Sequence, residues 1–263
     1  MRARAITAGA VAALLATLTS PAGGSTADQL PNLVALAPFD FEIAAADSGE
    51  GQAIRFATGA ANRGDHALEL LGQPSSPTDA IAQQCVAWAH PRICTQRDDV
   101  GTFAWHPQHG HYHFEEFALY ELRRLRPNGR VRMAKNGLVR TSGKISYCII
   151  DAERDDSSGD SLYFLPYPLY YSCLAGLNMQ GISPTWRDIY SNSTVGQEIP
   201  LDGIEDGTYA LVIHIDPSNR LHETDDSDNT SLVKLRILDG GRALEILCAQ
   251  EPGTTCAPTA EPE

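Results

Sequence analysis

The sequence predicts a mainly β chain, a single β-sandwich domain with long functional loops and little helix. Apolar residues recur at alternate positions in several segments, turn-forming Gly, Asn, Asp and Pro separate those segments, and no long segment holds a helical period. The chain has 263 residues, 43% of them hydrophobic. That is enough for one large domain or two small ones.

The elements follow in order. Arg2 and Arg4 precede the apolar run ITAGAVAALLATLT, which is too short to span a bilayer, and the small residues Ser25, Thr26 and Ala27 offer a cleavage site. Residues 1–27 are therefore expected to be a signal peptide, and the protein to be secreted or extracellular. No later segment has the length and apolarity of a membrane span, and no Cys follows the apolar run to carry a lipid, so no membrane anchor is expected. Residues 28–247 are assigned to a single folded domain and 248–263 to a stapled, partly disordered tail rich in Pro and Thr. Within the domain, IRFATGAANRGDHALEL (54–70) reads as strand, turn and strand. FEEFALYELRRL (114–125) alternates and then stops at Pro127-Asn128-Gly129. KISYCIID (144–151) is rich in β-branched and aromatic residues, and DGTYALVIHID (206–216) with NTSLVKLRIL (229–238) reads as a hairpin. Long loops are expected over 71–104 and 151–190, and loops of that length are usually functional.

The formal net charge is −13, and loss of Arg2 and Arg4 makes it more negative. Such a surface repels nucleic acid and anionic membranes and draws cationic ligands and metal ions. The six cysteines are an even number in an exported chain and favour disulfides. Spacing favours Cys85–Cys94, Cys148–Cys173 and Cys248–Cys256 among about fifteen possible connectivities. No Cys-x-x-Cys occurs, which argues against a thiolate metal site.

Half of the chain's eight histidines lie in WHPQHGHYHFEEF (105–117). On a strand, His109, His111 and His113 share one face, and three neutral imidazoles suit copper, zinc or iron. At a rise of about 3.3 Å per residue, His109 and His113 would be roughly 13 Å apart on a straight strand. The backbone must bend for both to reach one ion, and Gly110 is where a bend is easiest. An exposed polar strand face is the plainer alternative. His106 is a fourth ligand, a supporting group or a surface residue, and Pro107 argues against a continuous strand there.

In HETDDSDN (222–229), Glu223, Asp225, Asp228 and Asn229 offer hard oxygen donors suited to calcium, although the pattern is not an EF-hand. A solvated acidic turn is the alternative. DAERDDSSGD (151–160) reads as a solvated loop, or as an acidic rim that speeds the approach of positively charged substrates.

WHPQHGHYHFEEFALYEL resembles the copper-binding segment of the lysyl oxidase family, whose pattern is Trp-His-x-x-His-x-His-Tyr-His. GKISYCIID resembles the stretch around that family's cofactor lysine, and QGISPTWRDIY the stretch ending in its cofactor tyrosine. GTYALVIHIDPSNRLHETDDSDN resembles its C-terminal strand and acidic loop. The blocks stand in family order from roughly Leu30 to Ile237 and identify a minimal, bacterial-type member.

The resemblance implies a copper amine oxidase carrying lysine tyrosylquinone, built from Lys144 and Tyr190, with copper on His109, His111 and His113. No ordinary side chain is an electron sink, so amine oxidation needs such a cofactor. Primary amines, including lysine-containing peptides or proteins, would be oxidised by molecular oxygen to aldehydes, releasing hydrogen peroxide and ammonia. Asp188 is the candidate base, with acceptance of loop hydrogen bonds as its alternative role. The resemblance also implies a structural calcium shared by the acidic loop, Asn32 and the Leu33 carbonyl, with Asn32 replacing the family's Asp. Gln108 stands where animal members carry a Cys that pairs near the position of Cys173, Arg187 where a Tyr is frequent, and the stretch from Cys173 to Gln180 is longer. The rival readings are an extracellular copper- or calcium-binding sandwich without turnover, and a three-histidine zinc hydrolase.

Overall fold

A computed structural model describes residues 29–90, 92–156, 166–174 and 179–256. The expected signal peptide, residues 157–160 of the acidic stretch and the tail beyond Cys256 lie outside the described residues. The chain is mainly β, as the alternation requires, with antiparallel pairing throughout and a 3-10 turn at Lys135–Gly137.

In the first sheet β3 (Gln52–Asn62) is central. It pairs with β1 (Leu33–Ala35), β2 (Phe39–Ala45), β12 (Trp186–Tyr190) and β13 (Glu198–Pro200), and β10 (Glu153–Arg154) pairs with β12. The second sheet runs β11 (Met179–Ile182), β4 (Leu68–Pro74), β5 (Asp79–His90), β6 (Ile93–His106) and β7 (His111–Phe114). The third runs β16 (Ala243–Gln250), β15 (Thr230–Leu238), β14 (Gly207–Ile215), β8 (Ala118–Arg124) and β9 (Leu138–Thr141).

All three sheets feed one core. Ile54 and Phe56 come from the first, Leu68, Leu70 and Phe103 from the second, and Tyr120, Leu122, Leu211, Ile213, Val233 and Leu235 from the third. The last six are alternate residues of β8, β14 and β15, so period-two patterning turns one face of that sheet inward. Burial of each such side chain contributes about 1.5–3 kcal/mol.

The expected hairpin over 206–238 is β14 and β15, in continuous register from Gly207↔Ile237 to His214↔Thr230. Three expectations are corrected. Residues 71–104 are mostly not a loop: β5 and β6 form a long hairpin whose register slips several times between Ala82 and His90. KISYCIID is not a strand of a sheet, because only Tyr147 bridges, to Phe114. The expected loop over 151–190 carries β10, β11 and β12.

All the expected disulfides form: Cys85–Cys94, Cys148–Cys173 and Cys248–Cys256. No helix among the described residues is long and apolar enough to cross a membrane.

Candidate functional site

The histidine segment is a tight hairpin. β6 ends at His106, the amides of His109 and Gly110 both donate to the His106 carbonyl, and β7 begins at His111 in register with His106. Gly110 has a φ of +71°, a left-handed conformation that costs a glycine little. This is the bend that the spacing demanded. It brings the His109 Nδ1 to 3.2 Å and the His111 Nε2 to 3.0 Å from the His113 Nε2.

His106, left open by the sequence, joins the cluster. Its ring stacks on His113 with centroids 4.1 Å apart, and one ring nitrogen from each of His106, His109 and His113 lies within 4.8 Å of the other two. Burial, then His106, Lys144 and the other two imidazoles, pushes His113 down to about 3. Burial likewise lowers His109 and His111, with neighbouring charges adding to it. Neutral imidazoles with converging nitrogens are the donor set copper prefers, so these residues fit the metal.

Lys144 follows β9 and faces this cluster. Its Nζ lies 4.7 Å from the centroid of the Tyr147 ring and 5.9 Å from that of Tyr190. The Tyr147 and Tyr190 rings meet edge to face at 4.5 Å. Burial lowers the Lys144 ammonium, partly offset by Asp188. Sequence reasoning passed over Tyr147. Its signal was faint: an aromatic on the buried parity of KISYCIID.

β12 delivers Tyr190 and Asp188. Its register sets Tyr190 opposite Thr58 and Ile189 opposite Gly59. A Cβ on Gly59 would stand 1.9 Å from the Asp188 carbonyl oxygen, so β3 needs glycine to let β12 approach. The Tyr190 hydroxyl donates to the Cys148 carbonyl. Cys148 is tied to Cys173, and the following residue, Leu174, bridges to His111. One disulfide therefore braces both the histidine-bearing strand and the tyrosine.

Asp188 is 1% exposed, and its Oδ2 has no hydrogen-bond partner. Burial pushes its carboxyl well above the usual carboxylate range, against hydrogen bonding from Tyr190. Burial, and then Asp188, raises the Tyr190 phenol.

A pocket of about 320 Å³ opens beside Lys144 and the outer histidines, lined by His106, His109, Lys144, Ile145, Val195 and Gly196 among others. Its outer wall is braced: Asp47 accepts the Gly196 amide at 2.6 Å and pairs with Arg55, which also bonds Glu198 and the Asn192 and Thr194 carbonyls.

The oxygen-rich loop forms a second constellation. Glu223 accepts the Leu33 amide at 2.6 Å and the Asn229 side-chain amide at 2.8 Å, and the Asn32 side-chain amide donates to Asp228 at 2.9 Å. Burial raises Glu223 to about 8, opposed by the Asn229 and Leu33 hydrogen bonds. The Asp228 Oδ1 and Asn229 Oδ1 are buried without partners. Orphaned oxygens beside a buried carboxyl fit a hard cation. Asp225 is exposed, and its Oδ1 accepts the Ser227 amide. In the stretch read as an acidic rim, Asp151 and Asp155 turn inward instead. Asp151 anchors Leu169, Tyr170 and Ser183, and Asp155 pairs with Arg63.

Comparison with known proteins adds lineage. The family model described as lysyl oxidase matches residues 83–246. The protein-lysine 6-oxidase of Gallus gallus is 30% identical over 129 residues, 49% of this chain and 26% of that protein. The pig enzyme of the same name is 29% identical over 136 residues, covering 51% and 47%. Human lysyl oxidase homolog 1 is 28% identical over 129 residues, covering 49% and 19%. The chain thus spans less than half the length of each of these relatives.

Proposed function

Because the chain belongs to the lysyl oxidase family, we propose that it is a secreted copper-dependent amine oxidase acting on primary amines, including lysine side chains of peptides and proteins. The single observation that carries the reading is the meeting of Lys144 and Tyr190 beside a convergent histidine cluster. A metal carrier or a zinc hydrolase needs the histidines but neither of the other two residues.

His109, His111 and His113 would hold copper, with His106 stacked behind His113. The copper and the quinone built from Lys144 and Tyr190 would supply the oxidising carbonyl and the route to oxygen, giving aldehyde, ammonia and hydrogen peroxide. This chain's own residues do the rest. Burial lowers the Lys144 ammonium, partly offset by Asp188, and so makes easier the proton loss that would have to precede its addition to the oxidised Tyr190 ring. The Cys148 carbonyl fixes the Tyr190 hydroxyl while β12 fixes its backbone. Ile145 and Val195, both exposed at the pocket, flank an aliphatic stem and shed water from it. Asp188, with its raised pKa, is a stronger base than an ordinary carboxylate and would take the proton from the carbon next to the amine. Calcium held by Glu223, Asp228 and Asn229, with Asp225, Asn32 and Leu33 beside them, would fasten the start of the domain to its last hairpin.

The test is to load the secreted chain with copper in air and look by mass spectrometry for a Lys144–Tyr190 cross-linked peptide. Lys144→Arg and Tyr190→Phe should each abolish peroxide release on addition of amine while leaving copper binding intact. Wild-type activity in either variant would sink the assignment. A copper-loaded, folded protein lacking the cross-link would move the reading to a metal-binding module.

A further inference from the structure

The hairpin that leads into Lys144 carries a charge pattern at odds with the rest of the chain. LRRLRPNGRVRMAKNGLVR (122–140) holds seven cations and no carboxylate, in a protein of net charge −13. β8 ends at Arg124, and the chain turns through Arg126-Pro127-Asn128-Gly129, with the Gly129 amide donating to the Arg126 carbonyl. The return is paired. Leu125 bridges to Val131, the Arg126 amide donates to the Arg130 carbonyl at 2.8 Å, and the Arg132 amide to the Arg124 carbonyl at 3.0 Å.

That register sets Arg126 across from Arg130 and Arg124 across from Arg132. Residues directly opposite in an antiparallel pair project to the same side about 4.5–5.5 Å apart, and alternate residues share a face. The four arginines therefore leave one side of the hairpin as a two-by-two array at the end of β8. Arg124, Arg126 and Arg130 are exposed and Arg132 is half-buried. Like charges facing each other destabilise a sheet, so a fold with no use for them would pair them with acids. It does not: among the described residues, no carboxylate lies within 4.0 Å of any of the four, and their side chains donate no hydrogen bond. Glu205 and Asp206 are close enough to act on the neighbouring Tyr209 phenol, but they do not reach the array.

The scaffold beneath is rigid. Arg123, on the opposite parity, is buried and donates to both Glu121 oxygens, to the Arg132 carbonyl at 3.2 Å and to the Met133 carbonyl at 2.8 Å. The backbone that carries the array is thus fixed before any ligand arrives.

We propose that Arg124, Arg126, Arg130 and Arg132 form a docking site for a short acidic segment of a polypeptide. Guanidinium forks match carboxylates in paired geometry. Two features favour a peptide over a long polyanion. Away from this hairpin the surface is acidic, and beyond a screening length of about 10 Å at moderate salt it would repel an extended anionic polymer. Met133 and Leu138, 49% and 37% exposed on the same hairpin, offer apolar contacts that a peptide can use and a polyanion cannot. A polypeptide with both acidic and basic residues would meet the array with the former and the acidic remainder with the latter. The role in substrate capture rests on the amine oxidase reading; the binding itself does not.

The experiment uses the full secreted chain and a fluorescent hexaglutamate peptide flanked by leucines, followed by anisotropy. Binding should weaken roughly tenfold in an Arg126→Gln/Arg130→Gln variant with unchanged circular dichroism and melting, and should fall with salt. Arg236→Gln, at a paired arginine elsewhere, serves as the control and should leave binding intact. Equal binding by wild type and double variant overturns the site, as does failure of the peptide to bind while polyphosphate does. Turnover separates the two readings. A lysine peptide carrying the glutamate run should show a lower KM than the same peptide without it, with kcat unchanged and a small alkylamine unaffected by the variant. Equal KM values in an active enzyme overturn the docking role. Peptide binding without turnover of any amine instead overturns the amine oxidase reading and leaves the binding site standing.

Discussion

Tyr147 is a small aromatic surface on which the site depends. It contacts Lys144 with its face, meets Tyr190 edge to face, and its backbone exchanges both hydrogen bonds with Phe114, next to His113. It thereby joins the histidine strand to both Lys144 and Tyr190. The ring touches both groups and so sets their separation, and misplacing reacting groups by about 1 Å can cost about a hundredfold in rate. Tyr147→Leu should therefore slow cross-link formation about tenfold while copper still binds, whereas Tyr147→Phe should keep most of the rate. A time course of the cross-linked peptide by mass spectrometry checks both. Equal rates in the leucine variant would reduce Tyr147 to ordinary packing. The histidines were legible in the sequence because period two and a glycine encode their convergence. Tyr147 was not, since its importance comes from contacts made across the fold.

At the scale of elements, the approach of β12 to β3 decides where Asp188 and Tyr190 stand. Gly59→Val would put a side chain where the Asp188 carbonyl lies 1.9 Å from a Cβ. Overpacking of that kind costs about 1–3 kcal/mol, and the shift of β12 should remove activity as well. A melting curve with a peroxide assay tests it; a variant with native stability and turnover would contradict the argument. The Cys148–Cys173 bond closes a loop with a sequence separation of 25. Cys148→Ser/Cys173→Ser should lose about 2–4 kcal/mol of stability and, because Leu174 bridges to His111, weaken copper binding too. Unchanged copper affinity would show that the brace is not transmitted. β14 and β15 could be read from their clean alternation. The β5–β6 hairpin could not, because repeated bulges between Ala82 and His90 break the period on which such reading depends. KISYCIID misled for the reverse reason: its composition suits a strand, but only Tyr147 found a partner.

Across the whole molecule, Glu223 ties the acidic loop to the first strand. A carboxyl raised in the folded state from its ordinary 4.5 to about 8 binds a proton that the unfolded chain has released. Stability should therefore fall as pH rises through that window when no cation is supplied. Calcium should oppose this, stabilising the protein more at pH 8 than at pH 5, and Asp225→Ala should lower the melting temperature only when calcium is present. Thermal melts at the two pH values, with calcium and with chelator, decide it; identical curves would leave a plain structural loop.

The pairing of β12 with β3 also sets an order in time. β3 carries residues from the first quarter of the chain, yet its partner strand arrives only after the histidine hairpin, Lys144 and the disulfide loop have been made. Contacts so distant in sequence form slowly and late. Until they form, Tyr190 lacks the strand pairing that fixes its backbone beside Tyr147 and Lys144. On the proposed function, a cross-link would have to wait for that pairing. The fold would thus act as a timer, bringing the two residues within reach of each other only once β12 has joined β3.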